Sequence, residues 1–266
     1  MGRSLVGAGH EVVWAAAGRG PATVARAGQA GLTTVPDVAE VAGRAGVVLS
    51  VCPPHAAVQV AREVNAAGFR GLYVDANAVS PDTAREVAGI VEAGGAGYVD
   101  GGIIGTPPVA PGFIRLYLSG ARAPEVHRLF AGTEVDARVI DGGAFTAASA
   151  VKMAYASWTK GTAALLLAAR ALARAEGVED VLLAEWGISQ PGLAERSAGA
   201  ARAAAAKGWR WIAEMEEIAA TMAAAGLPEG FHQAAAEIYR RFPPADSAGK
   251  EAGLDALVRK NPDRSD

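Results

Sequence analysis

Short apolar runs alternate with longer amphipathic runs through the first half of the chain. Residues 11–16 (EVVWAA), 45–51 (AGVVLSV) and 71–75 (GLYVD) read as strands. The second has an almost unbroken apolar character, which predicts a strand buried on both faces. Residues 23–29, 55–67 and 81–93 carry helix-like composition and spacing. Strands alternating with helices predict a parallel sheet covered on both sides. Residues 98–102, 113–119 and 135–140 read as three further strands, with a helix over 124–130 between the last two.

The pattern changes near Gly142. Beyond it alanine, leucine, glutamate and arginine dominate, and no further strand is expected. Residues 145–176 contain no proline and only Gly161 as a weak point, so one long helix is predicted there. Residues 178–186, 192–205, 208–225 and 230–242 read as four more helices, with Gly226-Leu227-Pro228 as a stop between the last two. The expected architecture is an α/β Rossmann-like domain over residues 1–142, then an all-α domain over 143–266. The polar tail, residues 245–266, is expected to be partly loose.

Composition narrows the function classes. At 266 residues the chain is long enough for two medium domains with their own cores. Its formal net charge of -3 gives no basic surface for nucleic acid. A single cysteine, Cys52, forms no internal disulfide, which disfavours an oxidised secreted scaffold. The most apolar long stretch, residues 161–175, carries Arg170 and Arg174 and falls short of the roughly 20 apolar residues of a membrane span. With no signal-peptide pattern either, the expected location is the cytoplasm. The four histidines are scattered without metal-ligand spacing.

Dinucleotide-binding folds open with a strand, then a Gly-x-Gly-x-x-Gly turn into a helix whose N-terminus faces the pyrophosphate. This chain opens on Met1-Gly2, runs to Gly7-Ala8-Gly9-His10, and only then reaches its first strand. The expectation is that the first strand and most of the glycine loop are missing, with Gly2 as the last glycine of that loop. A misplaced start and a true deletion both account for this. Helix-end glycines of an unrelated α/β protein account for the glycines equally.

Four stretches in order resemble the superfamily of 6-phosphogluconate and 3-hydroxyisobutyrate dehydrogenases, the β-hydroxyacid dehydrogenase group. They are VVLSVCPP (47–54), VDANAVSPDTA (74–84), YVDGGIIG (98–105) and AASAVKMAYASWTKG (147–161). WRWIAEMEEIAATMAAAGLP (209–228) is similar to the helical domain of an uncharacterised branch of that superfamily. The resemblance implies NADP or NAD as cofactor, a small-molecule substrate, a homodimer formed through the helical domain, and an active site in the cleft between domains.

It also implies roles for individual residues. Lys152 matches the superfamily's general acid/base, which protonates the substrate oxygen that gains charge as hydride moves. A solvated surface lysine is the ordinary alternative. The 100–106 segment matches the substrate loop, so Asp100, Gly101, Gly105 and Thr106 are candidate substrate contacts, with main-chain amides near Gly105 suited to a carboxylate. Ile104-Gly105-Thr106 stands where hydroxyacid enzymes have a serine and two glycines. Ala156 stands where many carry an asparagine one turn after the lysine. Both departures loosen the assignment to a small hydroxy acid. Lys160, two turns beyond Lys152, is a candidate for an acidic substrate group or a surface lysine. Cys52, Pro53 and Asn77 match loops near the cofactor, though Asn77 also suits a plain turn. Arg19 follows the first strand, where an arginine accommodates the NADP phosphate and an acid would hold the NAD ribose; an exposed loop arginine is the alternative.

The expected activity is therefore hydride transfer to or from a small hydroxy acid or related alcohol or carbonyl. Three alternatives stay open: a non-catalytic dimeric remnant that has lost cofactor binding, a decarboxylating phosphogluconate-type dehydrogenase, and an imine reductase. The second lacks a recognisable set of phosphate-binding basic residues. In the third the lysine is usually absent.

Overall fold

A computed structural model of the chain describes residues 1–105, 113–242, 254, 257 and 258. It divides into two compact units, the first ending at Met153 and the second beginning at Ala154.

The described residues of the first unit hold seven strands: β1 (Val13–Ala15), β2 (Thr33–Val35), β3 (Val47–Ser50), β4 (Leu72–Asp75), β5 (Gly97–Gly105), β6 (Ile114–Ser119) and β7 (Val135–Val139). Its helices are α1 (Gly2–Gly7), α2 (Pro21–Gln29), α3 (Val38–Arg44), α4 (Ala57–Ala66), α5 (Pro81–Ala93) and α6 (Ala123–Leu129). Strands β3 to β7 form one sheet in sequential order, while β1 and β2 pair only with each other. Among the described residues no ladder joins β1 to β3, so each keeps an edge that the other does not cover.

Strand alternation sorts the side chains into two cores. Val48, Tyr73 and Tyr98 face α3, α4 and α5, whose Ala42, Ala61, Val64, Val87 and Val91 close that side. Leu72, Val74, Val99, Leu116 and Leu118 face the other way, against Ala123 and Val126 of α6, Phe130 at its end, Leu5 of α1 and Met1 just before it. Helices on both faces explain why the strands read as continuous apolar runs.

Four features depart from the expectation. First, β5 and β6 are antiparallel, within an otherwise parallel sheet. Too few residues separate them for a helical crossover, and a short connection forces antiparallel pairing. Second, β5 runs on to Gly105 instead of ending at residue 102. Its glycines weaken the strand signal, and the ladder to β6 overrides that weakness. Third, β2 (TTV) was not foreseen: it is three residues long and mostly exposed. Fourth, α3 was also missed, although Asp37 caps it by accepting from the Glu40 amide, a Ser/Thr/Asp-x-x-Glu signature.

The helix α7 (Ala147–Ala175) starts in the first unit and continues into the second. The second unit adds α8 (Glu179–Ser189), α9 (Leu193–Lys207), α10 (Trp209–Ala224) and α11 (Gly230–Arg240). Its buried centre includes Leu167, Met215, Ile218, Ala236 and Tyr239. Glu179 at the start of α8 accepts from both Arg170 and Arg174 of α7, and Arg170 also donates to Ser197 of α9. Three helices are thereby tied at one charged knot. Among the described residues no helix is long and apolar enough to cross a membrane.

Candidate active site

Three loops of the α/β unit follow the carboxyl ends of parallel strands, where ligands of open α/β sheets bind. Arg19 follows β1, Cys52 and Pro53 follow β3, and Asn77 follows β4. Ser50 and Asp75, the last residues of β3 and β4, sit opposite one another in the ladder. Asn77 ties these ends together. Its Oδ1 accepts from the Cys52 amide at 2.6 Å, and its Nδ2 donates to Ser50 Oγ at 2.9 Å and to Asp75 Oδ1 at 2.6 Å. Burial pushes the half-buried Cys52 thiol above its ordinary pKa, and the positive charge of Arg19 works against that shift.

A second polar group lies where β5 meets α7. Asp100 is fully buried, with 0% of its surface exposed. Its Oδ2 accepts from the Ser149 amide at 2.7 Å and from Ser119 Oγ at 3.2 Å, and its Oδ1 accepts from Ser149 Oγ at 2.6 Å. Burial raises the Asp100 pKa, and the hydrogen bonds from Ser149 and Ser119 oppose that rise. A carboxylate at a helix N-terminus satisfies amides that have no partner within the helix. One turn on, Lys152 Nζ donates to the Ile103 carbonyl at 2.9 Å. Gly102 lies under this turn: a Cβ there would come 2.6 Å from the Ala148 carbonyl oxygen and 3.2 Å from Lys152 Cβ.

Comparison with other proteins finds relatives of the fold as a whole. A domain of unknown function, DUF1932, matches residues 173–242. Conserved protein MTH1747, of unknown function and described as structurally similar to 3-hydroxyacid dehydrogenases, is 28% identical; 90% of each chain is covered, with a TM-score of 0.63. A conserved hypothetical protein from Sinorhizobium meliloti 1021 is 26% identical over 97% of this chain and 92% of its own, with a TM-score of 0.66. The 3-hydroxyisobutyrate dehydrogenase of Mycobacterium tuberculosis, solved with L-serine, shares the fold at 22% identity, covering 97% and 94%, with a TM-score of 0.65. Imine reductases share it at 20–21%. No curated protein matches.

The chain carries the β-hydroxyacid dehydrogenase-like fold, with a DUF1932 segment in its helical unit. Within that dehydrogenase-like fold the expected site residues fall into three groups. Arg19, Cys52, Pro53 and Asn77 follow the carboxyl ends of β1, β3 and β4, and Asp100 and Lys152 gather at the β5–α7 contact. Gly2, Gly101, Gly105 and Lys160 stand apart from both in role. Gly2 opens the short helix α1, and a Cβ on it would meet the Leu32 side chain at 3.1 Å. Gly101 and Gly105 belong to strand β5 instead of a loop; a Cβ on Gly101 would lie 3.0 Å from the Asp75 carbonyl oxygen. Gly105 has a φ of +117° and pairs with Ile114, so its backbone is engaged in the ladder to β6. Lys160 forms an ion pair with Glu214 of α10 and lies 5.7 Å from the Trp211 ring. Its ammonium is thus directed at the helical core. Thr106 lies outside the described residues, as does nearly all of the 245–266 tail.

Sequence reasoning missed Ser119, Ser149 and the Ile103 carbonyl. Ser149 carried a signal: a serine in the first turn of a helix, three residues before the lysine and on its face. Nothing local marks Ser119 or a backbone carbonyl. The part-buried pair of Ser157 Oγ and His232 Nε2, 2.8 Å apart in the helical unit, was also unforeseen.

Proposed function

We propose that the chain is an NAD(P)-dependent oxidoreductase, preferring NADP, that transfers hydride to or from a small hydroxy acid or a related alcohol or carbonyl. The observation that carries this reading is the seat of Lys152. Its amine is half-buried, donates to the Ile103 carbonyl, and is carried by the second turn of α7. A fixed amine of this kind gives a proton to an oxygen that gains charge and takes it back in the reverse direction.

The residues at the sheet end suit a dinucleotide. Arg19 offers a cation for a 2′-phosphate, and no acid at 15–17 competes for a ribose hydroxyl. The Asn77 amide is spent on Cys52, Ser50 and Asp75, so its part is to hold the Cys52–Pro53 turn in the shape against which a ribose lies. The bound cofactor supplies or accepts the hydride; the chain supplies the proton and the orientation.

The partner we propose is a second copy of this chain. Val151, Trp158, Leu165 and Leu172 recur every seven residues on α7 and are all exposed, with Tyr155 between them. Such an apolar stripe marks an interaction face. Trp158, 69% exposed, is the residue to change: Trp158→Asp is expected to halve the mass seen by light scattering. A dimer that survives the change overturns this interface.

The test of function is a titration of the chain with NADPH and NADH by tryptophan fluorescence, then a screen of hydroxy acids, carbonyls and imines. Saturable binding, tighter for NADPH, is expected. Lys152→Ala is expected to lower turnover about 100-fold or more while the NADPH Kd stays unchanged. Equal losses in both overturn the role given to Lys152, and preference for an imine moves the activity away from CH–OH chemistry.

A further inference from the structure

Two contacts join β5 to α7, and they are spaced alike on both elements. Ser149 donates to Asp100 through its amide and its hydroxyl. Three residues on along each element, Lys152 donates to the Ile103 carbonyl. Gly102 lies between the two contacts and lets the helix backbone rest directly on the strand, because any Cβ there would collide with the Ala148 carbonyl. Ser119 of β6 braces the same turn. It donates to Asp100 Oδ2 or to the Phe145 carbonyl at 2.9 Å, and it accepts from the Ala148 amide at 2.9 Å.

We infer that Asp100 is a positioning residue: with Ser149 and Ser119 it locks the first turn of α7 onto β5 and so sets the Lys152 amine on the Ile103 carbonyl. Asp100 has no exposed surface, so its carboxylate is out of reach of any substrate. A buried carboxylate persists only where donors surround it, and every donor found on it belongs to α7 or to the neighbouring strand β6. Lysine is a point charge on a flexible four-carbon stem, so its placement depends on how firmly the stem's base is held. A shift of about 1 Å at a catalytic group can lower rate on the order of 100-fold. The meaning of the lock for catalysis rests on the proposed role of Lys152; its geometry does not.

The chain has five lysines, few enough to resolve singly. Reductive methylation of the full chain with 13C-formaldehyde labels them, and Lys152→Arg identifies the Lys152 signal by its loss. In the parent protein this signal is expected to stand apart from free dimethyl-lysine. In Asp100→Ala and Ser149→Ala it is expected to collapse onto the free-lysine position. Asp100→Asn keeps an acceptor for the Ser149 amide and donates to the Ser149 hydroxyl, so it is expected to retain the signal. Lys160, further along the same helix, is expected to stay in place in every variant. If Asp100→Ala does not fold, Ser149→Ala and Ser119→Ala decide. The inference is overturned if Lys152 stays put in the folded variants, or if Lys160 moves with it, which would mean that α7 has loosened as a whole. If Lys152 is released as expected but Lys152→Ala turns over like the parent, the lock stands and the proposed proton donor falls.

Discussion

Lys160 and Glu214 form a largely buried ion pair, and deleting one charge at a time has a calculable asymmetry. The lysine side chain is 20% exposed and the glutamate 8%. Lys160→Met keeps the aliphatic stem beside Trp211 but takes the ion-pair cation away from a carboxylate almost wholly removed from water. Breaking a buried pair this way costs about 3–5 kcal/mol. Glu214→Met leaves an ammonium that is better hydrated, sits on a flexible stem, and still lies 5.7 Å from the Trp211 ring. Its loss should be smaller, about 1–3 kcal/mol. The double variant buries two apolar chains and no charge, so it should be more stable than Lys160→Met alone. Urea unfolding at pH 7, followed by far-UV circular dichroism and tryptophan fluorescence, measures all three. Additive losses, or Glu214→Met worse than Lys160→Met, would refute the reasoning. Unchanged stability with a raised KM in Lys160→Met would instead return this lysine to the substrate.

His232 and Asn77 give two further predictions. His232 is buried, its Nδ1 has no partner among the described residues, and burial holds its pKa below 6.5 against the opposing hydrogen bond with Ser157. The unfolded chain therefore takes up a proton before the folded one does, so stability is full above pH 6.5 and falls as pH drops below it. Comparing urea midpoints at neutral and acid pH, the parent should lose more stability than His232→Gln; equal acid losses would assign the effect elsewhere. Asn77→Ala removes three side-chain hydrogen bonds between the ends of β3 and β4 and should cost about 2–4 kcal/mol while weakening NADPH binding by calorimetry. Parent-like stability in that variant would mean that the bridge is idle.

Much of the α/β unit was legible because burial on two faces leaves a mark in the sequence. The runs at 45–51, 71–75 and 98–102 announced β3, β4 and β5, and the helix-like composition of 81–93 announced α5 to the residue, where the structure adds Ser80 accepting from the Thr83 amide. The long helix α7 was equally plain, since nothing in it breaks a helical period. Elements whose stability comes from neighbours left no such mark. β2 is too short and exposed to show periodicity, and the glycine-rich end of β5 is a strand only because β6 pairs with it.

The candidate site divides in the same way. Lys152, Arg19, Cys52 and Asn77 were singled out from residue type and position in a motif, and what each side chain touches was beyond the sequence. A sequence fixes which groups a helix turn or strand end presents, because those follow from local backbone periods. It does not fix which buried carboxylate meets which helix. Asp100 and Ser149 stand 49 residues apart, and their contact depends on the sheet order and on Gly102 admitting the helix. Lys160 makes the same point from the other side. Its spacing put it on the face of Lys152, while the packing of α10 turned it toward Glu214, because a half-buried cation needs the nearest carboxylate more than it needs the spacing of its own helix.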